Sequence, residues 1–352
     1  MDPEAARDGR LPTTRTRSSQ SRPAASGRRR PPPSPRMMDA PSPVAVAERF
    51  PLLVIAGATA SGKSHLAIQL ALAFDGEIVS CDSMQVYRGF DVGTAKVSAA
   101  ERAVVPHHLI DIRDPAQPFS AGEFAREAAA ALAAIRARGR LPILTGGTGF
   151  YLRALLEGLP PAPPRDEALR ARLAKAAPQA LYRLLLRLDP AAAVRIHPHD
   201  RHKLIRALEI ARGRAPHASP PRPAGLTGFA PVKILLLPDR AALYCRINER
   251  VVSLFAGGLL EETAVLQARG LPPTCPPFQA VGYREALAVL SGTLTLEAAV
   301  RATQQATRNY AKRQLTWFRR ECWTATLPGF GDEPEILAAA IQLVRATCRS
   351  GR

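Results

Sequence analysis

The sequence lacks paired cysteines, a secretory signal and any long hydrophobic run. Its five cysteines have no C-x-x-C or finger-like spacing, so neither a disulfide framework nor a structural zinc site is indicated. No apolar run approaches the roughly 18 residues that a membrane-spanning helix needs, and the first residues lack the apolar stretch of a signal peptide. We therefore expect a cytoplasmic protein with no membrane contact.

Negative charge is also scarce, because the chain has 48 basic against 30 acidic residues and a net charge of +18. The first 40 residues account for only part of this excess. A basic globular body is typical of a protein with a polyanionic partner such as nucleic acid. A compositional bias toward arginine and alanine explains the charge equally well, and composition alone does not separate the two.

Residues 1–46 are rich in arginine, proline and serine and include RRRPPPSPR at 28–36. Such a segment buries too little apolar surface to offset its ordering entropy, so we expect it to be disordered. Its acidic residues and prolines argue against a transit peptide. Met37 or Met38 is an equally good candidate for the true start of the protein.

From Pro51 onward, short apolar runs alternate with helical patterns. The predicted strands are PLLVIAG (51–57), EIVSC (77–81), HLIDI (108–112), LPILTGG (141–147) and VKILLL (232–237). Such alternation predicts an α/β fold with a parallel sheet, in which ligands bind at the carboxyl ends of the strands. Residues 165–212 are instead helical in pattern throughout, and helices dominate again from Ala241 to about Arg320.

These changes of pattern define the expected domains. A core of residues 47–164 and 223–330 is interrupted by a helical insertion at 165–222, and residues 331–352 form a C-terminal helix or tail. The insertion ends in a proline-rich loop at 213–228.

One segment carries a specific phosphate-binding signal. The run GATASGKS (57–64) matches G-x-x-x-x-G-K-[ST] and lies between a predicted strand and a predicted helix. Its backbone N–H groups can wrap phosphate oxygens, Lys63 can neutralise the outer phosphate and Ser64 can bind Mg²⁺. The expected phosphate-binding residues are Gly57, Thr59, Ala60, Ser61, Gly62, Lys63 and Ser64. The core is therefore P-loop NTPase-like.

A phosphate loop does not by itself specify ATP. ATPases usually have a further apolar strand that ends in a metal-binding acid, whereas LPILTGG ends in threonine and glycines. Asp82, after the second predicted strand, and Asp111 are the remaining candidates. Nucleotide hydrolysis is therefore poorly supported, while a phosphotransferase remains open.

Long motifs follow the phosphate loop in order. They are CDSMQVYRGFDVGTAK (81–96), PHHLIDIRDP (106–115), FSAGEF (119–124), GGTGFYLRALLEGL (146–159), RIHPHD (195–200), RALEI (206–210), VGYREAL (281–287) and TRNYAKRQLTWFRR (307–320). With GATASGKS, they make residues 51–325 resemble the tRNA dimethylallyltransferase, or tRNA isopentenyltransferase, family. The lack of a C-terminal Cys/His zinc finger points to a bacterial-type member.

The resemblance implies transfer of a dimethylallyl group from dimethylallyl diphosphate to N6 of the adenosine 3′ of the anticodon. Diphosphate leaves, so the phosphate loop and Mg²⁺ would stabilise the charge that develops on it. Asp82 is implied as the general base, although from the residues alone a capping or metal-binding role is as well supported. Thr59 matches a hydroxyl that meets the bridging oxygen, and Arg250 matches an arginine near the diphosphate. The role of Arg246, one helical turn earlier, stays open.

The target base must leave a stacked anticodon loop to reach Asp82. The resemblance places a set of residues against tRNA, and the basic, aromatic-containing stretch 301–320 suits phosphate contact and base stacking. Besides Asp82, the set comprises Ser83, Met84, Gln85, Thr148, Arg170, His202, Lys203, Leu204, Ile205, Arg206, Gln279, Ala280, Val281, Gly282, Tyr283, Arg284, Thr307, Arg308, Asn309, Tyr310, Ala311, Lys312, Arg313 and Gln314.

The insertion corresponds to the family's domain against the anticodon stem, and one departure occurs there. The family commonly has Asn-Asp-x-Gln-Arg-Leu-x-Arg, whereas this chain has HDRHKLIR (199–206). Lys203 keeps a positive charge but loses the planar fork of arginine. We expect contact with tRNA to survive with altered geometry, and we expect a monomer.

Two other functions compete with this interpretation. A P-loop kinase of a small metabolite would consume ATP. A non-catalytic RNA-binding module would be indifferent to the loss of Asp82.

Overall fold

The computed structural model describes residues 49–213 and 225–349. The prediction of a disordered segment at 1–46, and most of the proline-rich loop, lie outside these residues.

Within the described residues, six parallel strands form one sheet in the order β3-β2-β4-β1-β5-β6. The strands are β1 (Phe50–Gly57), β2 (Gly76–Ser80), β3 (His107–His108), β4 (Leu141–Gly146), β5 (Phe229–Leu236) and β6 (Ala325–Leu327). The predicted parallel α/β fold is confirmed. Because all strands run the same way, the carboxyl ends of β1, β2 and β4 meet at one edge of the sheet.

Strand β1 lies at the centre of the sheet and is buried on both faces. Leu52 and Val54 pack into one apolar cluster, and Leu53 and Ile55 pack into another. Successive side chains of a strand point to opposite faces, so a strand covered on both sides reads as a continuous apolar run. This explains why PLLVIAG shows no polar alternation.

Helices cover both faces of this sheet. The helices α1 (Lys63–Ala73) and α13 (Pro334–Arg349) pack on one face, while α3 (Ala121–Ala137) and α4 (Gly149–Leu156) pack on the other. Ser120 starts α3 with a capping box, in which its hydroxyl accepts from the Glu123 N–H and the Glu123 carboxylate accepts from the Ser120 N–H. The short helix α2 (Ala99–Val104) begins with the same device.

The described part of the predicted helical insertion, residues 165–213, contains four short helices with an apolar cluster of their own. They are α5 (Glu167–Leu173), α6 (Pro178–Leu188), α7 (Pro190–Val194) and α8 (Arg201–Gly213). Proline occupies the first position of α6 and of α7, where its missing N–H costs no hydrogen bond. These prolines break the region into separate helices, although its composition is helical throughout.

The predicted C-terminal helices are confirmed as α9 (Arg240–Ala256), α10 (Leu259–Ala268), α11 (Tyr283–Leu290) and α12 (Leu296–Phe318), with a 3₁₀ turn at Pro276–Gln279. Among the described residues, no single helix is long and apolar enough to cross a membrane; only α9 and α10, bent by 51°, meet that criterion as a pair. Strand β6, which pairs with β5 at the sheet edge, was not predicted.

The predicted strand at 108–112 is wrong in extent. Strand β3 ends at His108, because Leu109 (φ 62°) and Asp111 (φ 56°) have left-handed backbones that cannot continue strand pairing. The Asp111 carboxylate binds the ammonium of Lys96, at 2.6 Å, and the guanidinium of Arg102, at 2.8 Å. It therefore holds the loops at 96–111 together.

A buried carboxylate in β2 generates a stability prediction. The Glu77 side chain is 4% exposed and accepts two hydrogen bonds from Arg138, which hold the pKa of Glu77 below its ordinary value. We expect Glu77→Gln to lower the free energy of unfolding by about 1–3 kcal/mol at pH 7, because a charge-assisted pair is lost. The difference between variant and parent should shrink as the pH falls through the folded pKa of Glu77, where the parent loses the same interaction.

Urea unfolding at pH 7 and at low pH measures both parts of this expectation. Asp75→Asn is the matched control, since Asp75 lies nearby with a side chain 78% exposed and only a 3.6 Å contact to Arg140. It should change stability by less than about 0.5 kcal/mol. Equal stability of Glu77→Gln and parent at pH 7 would show that the Glu77–Arg138 pair does not stabilise the fold.

Candidate active site

The loop between β1 and α1 has the backbone of a phosphate-binding nest. Ala60 (φ 63°) and Gly62 (φ 82°) are both left-handed, which turns neighbouring N–H groups toward one side. The Ser61 N–H donates to the carbonyl of Ala58 at 3.2 Å and closes the loop, and the Ser61 side chain is buried. The first turn of α1 adds N–H groups that have no partner within the helix.

Three adjoining cavities open at this edge of the sheet. One of about 450 Å³ contains the phosphate loop, a second of about 270 Å³ contains Asp82, and a third of about 60 Å³ lies between them. Arg250 and Ala95 line all three cavities. The predicted site residues of the phosphate loop and Asp82 are thus brought together in one continuous cleft.

Like charges are crowded at the phosphate end of the cleft. Burial of the Lys63 ammonium, with the nearby charge of Arg250, lowers the pKa of Lys63 to about 8, and Asp82 acts in the opposite direction. Burial of the guanidinium and the charge of Arg246 lower the pKa of Arg250, which Asp82 again opposes. The buried cations at this end of the cleft therefore repel one another, and a bound anion would reduce that repulsion.

Arg246 lines the same cavity but already has a partner. Its two terminal nitrogens donate to the two carboxylate oxygens of Asp332 at 2.8 and 2.7 Å, and its guanidinium lies over the ring of Phe330. The Gly331 N–H donates to the Ser61 carbonyl at 2.9 Å, which fastens this segment to the phosphate loop. The loop thus has a wall that the sequence analysis missed, because no pattern links residues 330–332 to a loop about 270 positions earlier.

Asp82 lies two residues after the end of β2, where it both caps a turn and lines the cleft. Its Oδ1 accepts from the N–H of Met84 at 2.8 Å and of Gln85 at 3.3 Å, so it caps a turn and not the next helix, which begins at Ala99. The carboxylate also lines the cleft beside Thr59 and Arg250. Capping therefore orients the group without removing it from the cavity.

The opposite wall is the loop at 91–95. The Gln85 amide accepts from the Ser80 hydroxyl and donates to the carbonyls of Thr94 and Ala95, each at 3.3 Å. The Tyr283 hydroxyl accepts from the Gly93 N–H at 3.1 Å. Gln85 and Tyr283, both expected at the tRNA interface, therefore shape the cleft from within, and Tyr283 is fully buried.

The end of the cleft beyond Asp82 is mostly apolar. Ile247, Val251 and Leu254 from α9 line it on one side, and Ala280 and Val281 on the other. Such a surface accepts a small hydrocarbon group and excludes water around it. The cleft thus has a cationic end, a carboxylate in the middle and an apolar end.

The expected tRNA-binding residues divide into three groups. Ser83, Met84, Gln279, Ala280, Val281, Thr307 and Tyr310 line the cleft with Asp82. Arg284, Asn309, Lys312, Arg313, His202 and Lys203 are exposed, and Thr148, Arg206 and Arg308 are partly buried. The side chains of Leu204, Ile205, Tyr283, Ala311 and Gln314 are buried and present no surface to a partner, and Gly282 is buried as well.

In the insertion, Arg170 is held by Glu209 through two hydrogen bonds of 2.7 Å, and Arg206 joins the same carboxylate at 3.2 Å. These interactions with Arg170 and Arg206 lower the pKa of Glu209 to about 2, against the effect of its burial. Lys203 pairs only with Asp200 on the surface. Among these residues, the exposed His202 and Lys203 are the ones that face solvent.

In α12, Tyr310 lies against the cleft, and its burial together with the charge of Asp82 raises its pKa. The guanidinium of Arg313 lies 5.7 Å from the Tyr310 ring centroid. Trp317 packs against Gly149 and under the guanidinium of Arg153, at 4.4 Å, so it is a packing residue.

The family model described as IPP transferase matches residues 85–321. Among curated proteins, tRNA dimethylallyltransferase from Solibacter usitatus (strain Ellin6076) is 50% identical over 309 residues, which cover 84% of this chain and 98% of the relative. The protein of the same description from Koribacter versatilis (strain Ellin345) is 48% identical, with the same coverage.

Solved structures give the same result. The tRNA isopentenylpyrophosphate transferase from Bacillus halodurans is 38% identical with a TM-score of 0.65, over 86% of this chain and 98% of that one. A eukaryotic dimethylallyltransferase described as acting on tRNA is 30% identical, also with a TM-score of 0.65, over 76% and 70%.

The lowered pKa of Lys63 predicts proton uptake on anion binding. Inorganic diphosphate stabilises the charged ammonium and so raises its pKa from about 8. At pH 8 we expect Lys63 to take up roughly half a proton, and at pH 6.5 almost none because it is already charged. The affinity for diphosphate should accordingly fall as the pH rises through 8.

Calorimetry in buffers of different ionisation enthalpy measures this uptake. The matched control is Lys63→Arg, whose guanidinium stays charged throughout, so that protons taken up by the diphosphate itself are subtracted. The same uptake at pH 8 in both proteins would show that Lys63 is fully charged before binding.

Proposed function

Since the chain belongs to the IPP transferase family, we propose that its cleft transfers the dimethylallyl group of dimethylallyl diphosphate to N6 of the adenosine 3′ of the anticodon. The chain is a prenyltransferase that moves a dimethylallyl group from the diphosphate to tRNA and releases diphosphate. The observation that carries the proposal is the continuous cleft, in which Arg250 borders both the phosphate loop and the cavity of Asp82. A kinase would leave the apolar end without a role.

The reaction follows from the order of groups along the cleft. The N6 lone pair attacks the allylic carbon, the carbon–oxygen bond breaks and its electron pair leaves with the diphosphate. Lys63 and Arg250 stabilise the charge that develops on the leaving oxygens, and the Thr59 hydroxyl donates to the bridging oxygen. Asp82 takes the N6 proton. The apolar walls keep water from the allylic carbon while it carries positive character.

Mg²⁺ is the proposed cofactor. No group of three or more His, Cys, Asp or Glu side chains suited to a metal occurs among residues 49–213 and 225–349. A metal that relies on substrate needs fewer protein ligands, since Mg²⁺ is commonly held by substrate phosphates and water. The Ser64 hydroxyl lies in the first turn of α1 and lines the same cavity as Lys63, so it would supply the protein oxygen. The ion would neutralise charge on the diphosphate.

The acceptor RNA is proposed to lie across the mouth of the cleft. Thr307 and Tyr310 line the cavity, and Lys312 and Arg313 on the same helix are exposed to meet phosphates. The insertion at 165–222, with its own apolar cluster and the exposed His202 and Lys203, is proposed to contact the anticodon stem. The Gln85 amide is already hydrogen-bonded to the loop at 91–95, so we propose that Gln85 supports RNA binding by holding that loop in place.

The reaction itself is tested with purified protein, dimethylallyl diphosphate, Mg²⁺ and an unmodified anticodon stem-loop in the absence of any nucleotide. Mass spectrometry should show one added dimethylallyl group on the adenosine 3′ of the anticodon. A requirement for ATP would favour the kinase, and binding without modification would favour the RNA-binding module. Modification of another base would refute the proposed acceptor.

The base role of Asp82 is tested with Asp82→Asn. The asparagine oxygen still accepts from the Met84 and Gln85 N–H groups, so the cap is retained while the base is removed. We expect kcat to fall by about 10²–10⁴-fold and the stem-loop Kd to stay within about twofold. The matched control is Asp114→Asn, because Asp114 accepts from the Ala116 N–H at 3.0 Å in a similar turn outside the cleft. A kcat within threefold of the parent would remove Asp82 from this role.

A further inference from the structure

We propose that Gln314 is a positioning residue that fixes Thr59 of the phosphate loop relative to the end of β4, and so joins the RNA-facing helix α12 to the diphosphate cradle. The inference rests on the proposed function, and it gives Gln314 a task other than the tRNA contact expected from the sequence.

The amide of Gln314 is used on both sides within the protein. Its Oε1 accepts from the Thr59 N–H at 2.9 Å, and its Nε2 donates to the carbonyl of Gly147 at 3.0 Å. The residue is 6% exposed. A flipped amide would set donor against donor and acceptor against acceptor, so the two partners fix its orientation.

The contact with Thr59 has a chemical consequence. N–H groups of a phosphate loop ordinarily face the phosphate. The Thr59 N–H instead donates to Gln314. Thr59 can therefore contribute only its side chain as a hydrogen-bond donor to the cleft, which it lines beside Asp82 and Arg250. Fixing the main chain of Thr59 therefore restricts where its hydroxyl lies relative to the leaving oxygen.

The contact with Gly147 connects the same amide to the segment of Asp82. The Thr148 N–H donates to the Cys81 carbonyl at 3.3 Å, and the Cys81 N–H donates to the Thr145 carbonyl at 2.7 Å. A Cβ at position 147 would lie 2.2 Å from the Gln314 Nε2, so only glycine leaves room for this arrangement. The Gln314 amide thus connects the segment that carries Asp82 to the backbone of Thr59.

Helix α12 gives this amide a link to RNA. Thr307 and Tyr310 lie seven and four positions before Gln314, on the same side of the helix, and both line the cleft. The helix that meets the acceptor nucleotide therefore also carries the residue that sets the donor loop. Helix α12 therefore takes part both in binding the acceptor nucleotide and in aligning the diphosphate leaving group.

The first test is Gln314→Met, which keeps the length of the side chain and removes both hydrogen bonds. We expect kcat to fall by about 10–100-fold, as misplacement of a reacting group does, with the stem-loop Kd within about twofold. In a Thr59→Ala background the same change should cost less than about threefold, because the hydroxyl it positions is absent. A merely structural role would lower kcat equally in both backgrounds.

Gln304→Met is the matched control. Gln304 lies on the same helix, and its amide donates to the Asn248 carbonyl at 3.2 Å without touching the phosphate loop. It should leave kcat within about twofold. Equal losses from Gln314→Met in both backgrounds, or a raised stem-loop Kd with unchanged kcat, would overturn the inference. An inactive parent protein would instead refute the proposed function.

Gln314→Glu keeps the inference testable where the methionine variant fails to fold. A protonated carboxyl group has the shape of the amide, donates to the Gly147 carbonyl and accepts from the Thr59 N–H, whereas the ionised form repels that carbonyl. Burial favours the neutral form. The ratio of variant to parent kcat should therefore rise as the pH falls, and a ratio independent of pH would contradict the proposal.

Discussion

The site depends on positive charge confined where water cannot fully screen it. Lys63, Arg250 and Arg246 border one cavity at the end of β1, and burial with mutual repulsion lowers the pKa of the first two. Each cation alone would be stabilised by solvent or by a partner. Held together by the sheet and by α9, they favour the entry of a multivalent anion, and favour still more the state in which charge moves onto it as a bond breaks.

Two carboxylates keep this arrangement stable in the absence of an anion, and they do so differently. Asp332 pairs with both terminal nitrogens of Arg246 and fixes that side chain against the Phe330 ring. Asp82 makes no direct ion pair among the described residues, but its charge opposes the lowering of the pKa of both Lys63 and Arg250. A carboxylate already committed to an arginine would be a poor base, so its distance from the cations has chemical value.

The sequence was most informative where a function depends on neighbours along the chain. The phosphate loop, its flanking strand and helix, and the position of Asp82 after a buried strand were all predicted, because parallel strands bring their carboxyl ends together. Burial of Gln314 and the wall at Asp332 were not predictable, since the first depends on a contact between residues 167 positions apart and the second on a contact between residues 86 positions apart. The early end of β3 has a similar origin, as loop contacts of Asp111 with Lys96 and Arg102 accompany a left-handed backbone.

The two hydrogen bonds to Asp82 hold its carboxylate in place. Oδ1 accepts from the backbone N–H groups of Met84 and Gln85. These contacts restrict rotation of the side chain, which lines the cleft. For a weak nucleophile such as an adenine amine, the alignment of proton, nitrogen and carbon matters as much as basicity. A carboxylate held by two backbone N–H groups just after a buried strand therefore contributes alignment as well as charge.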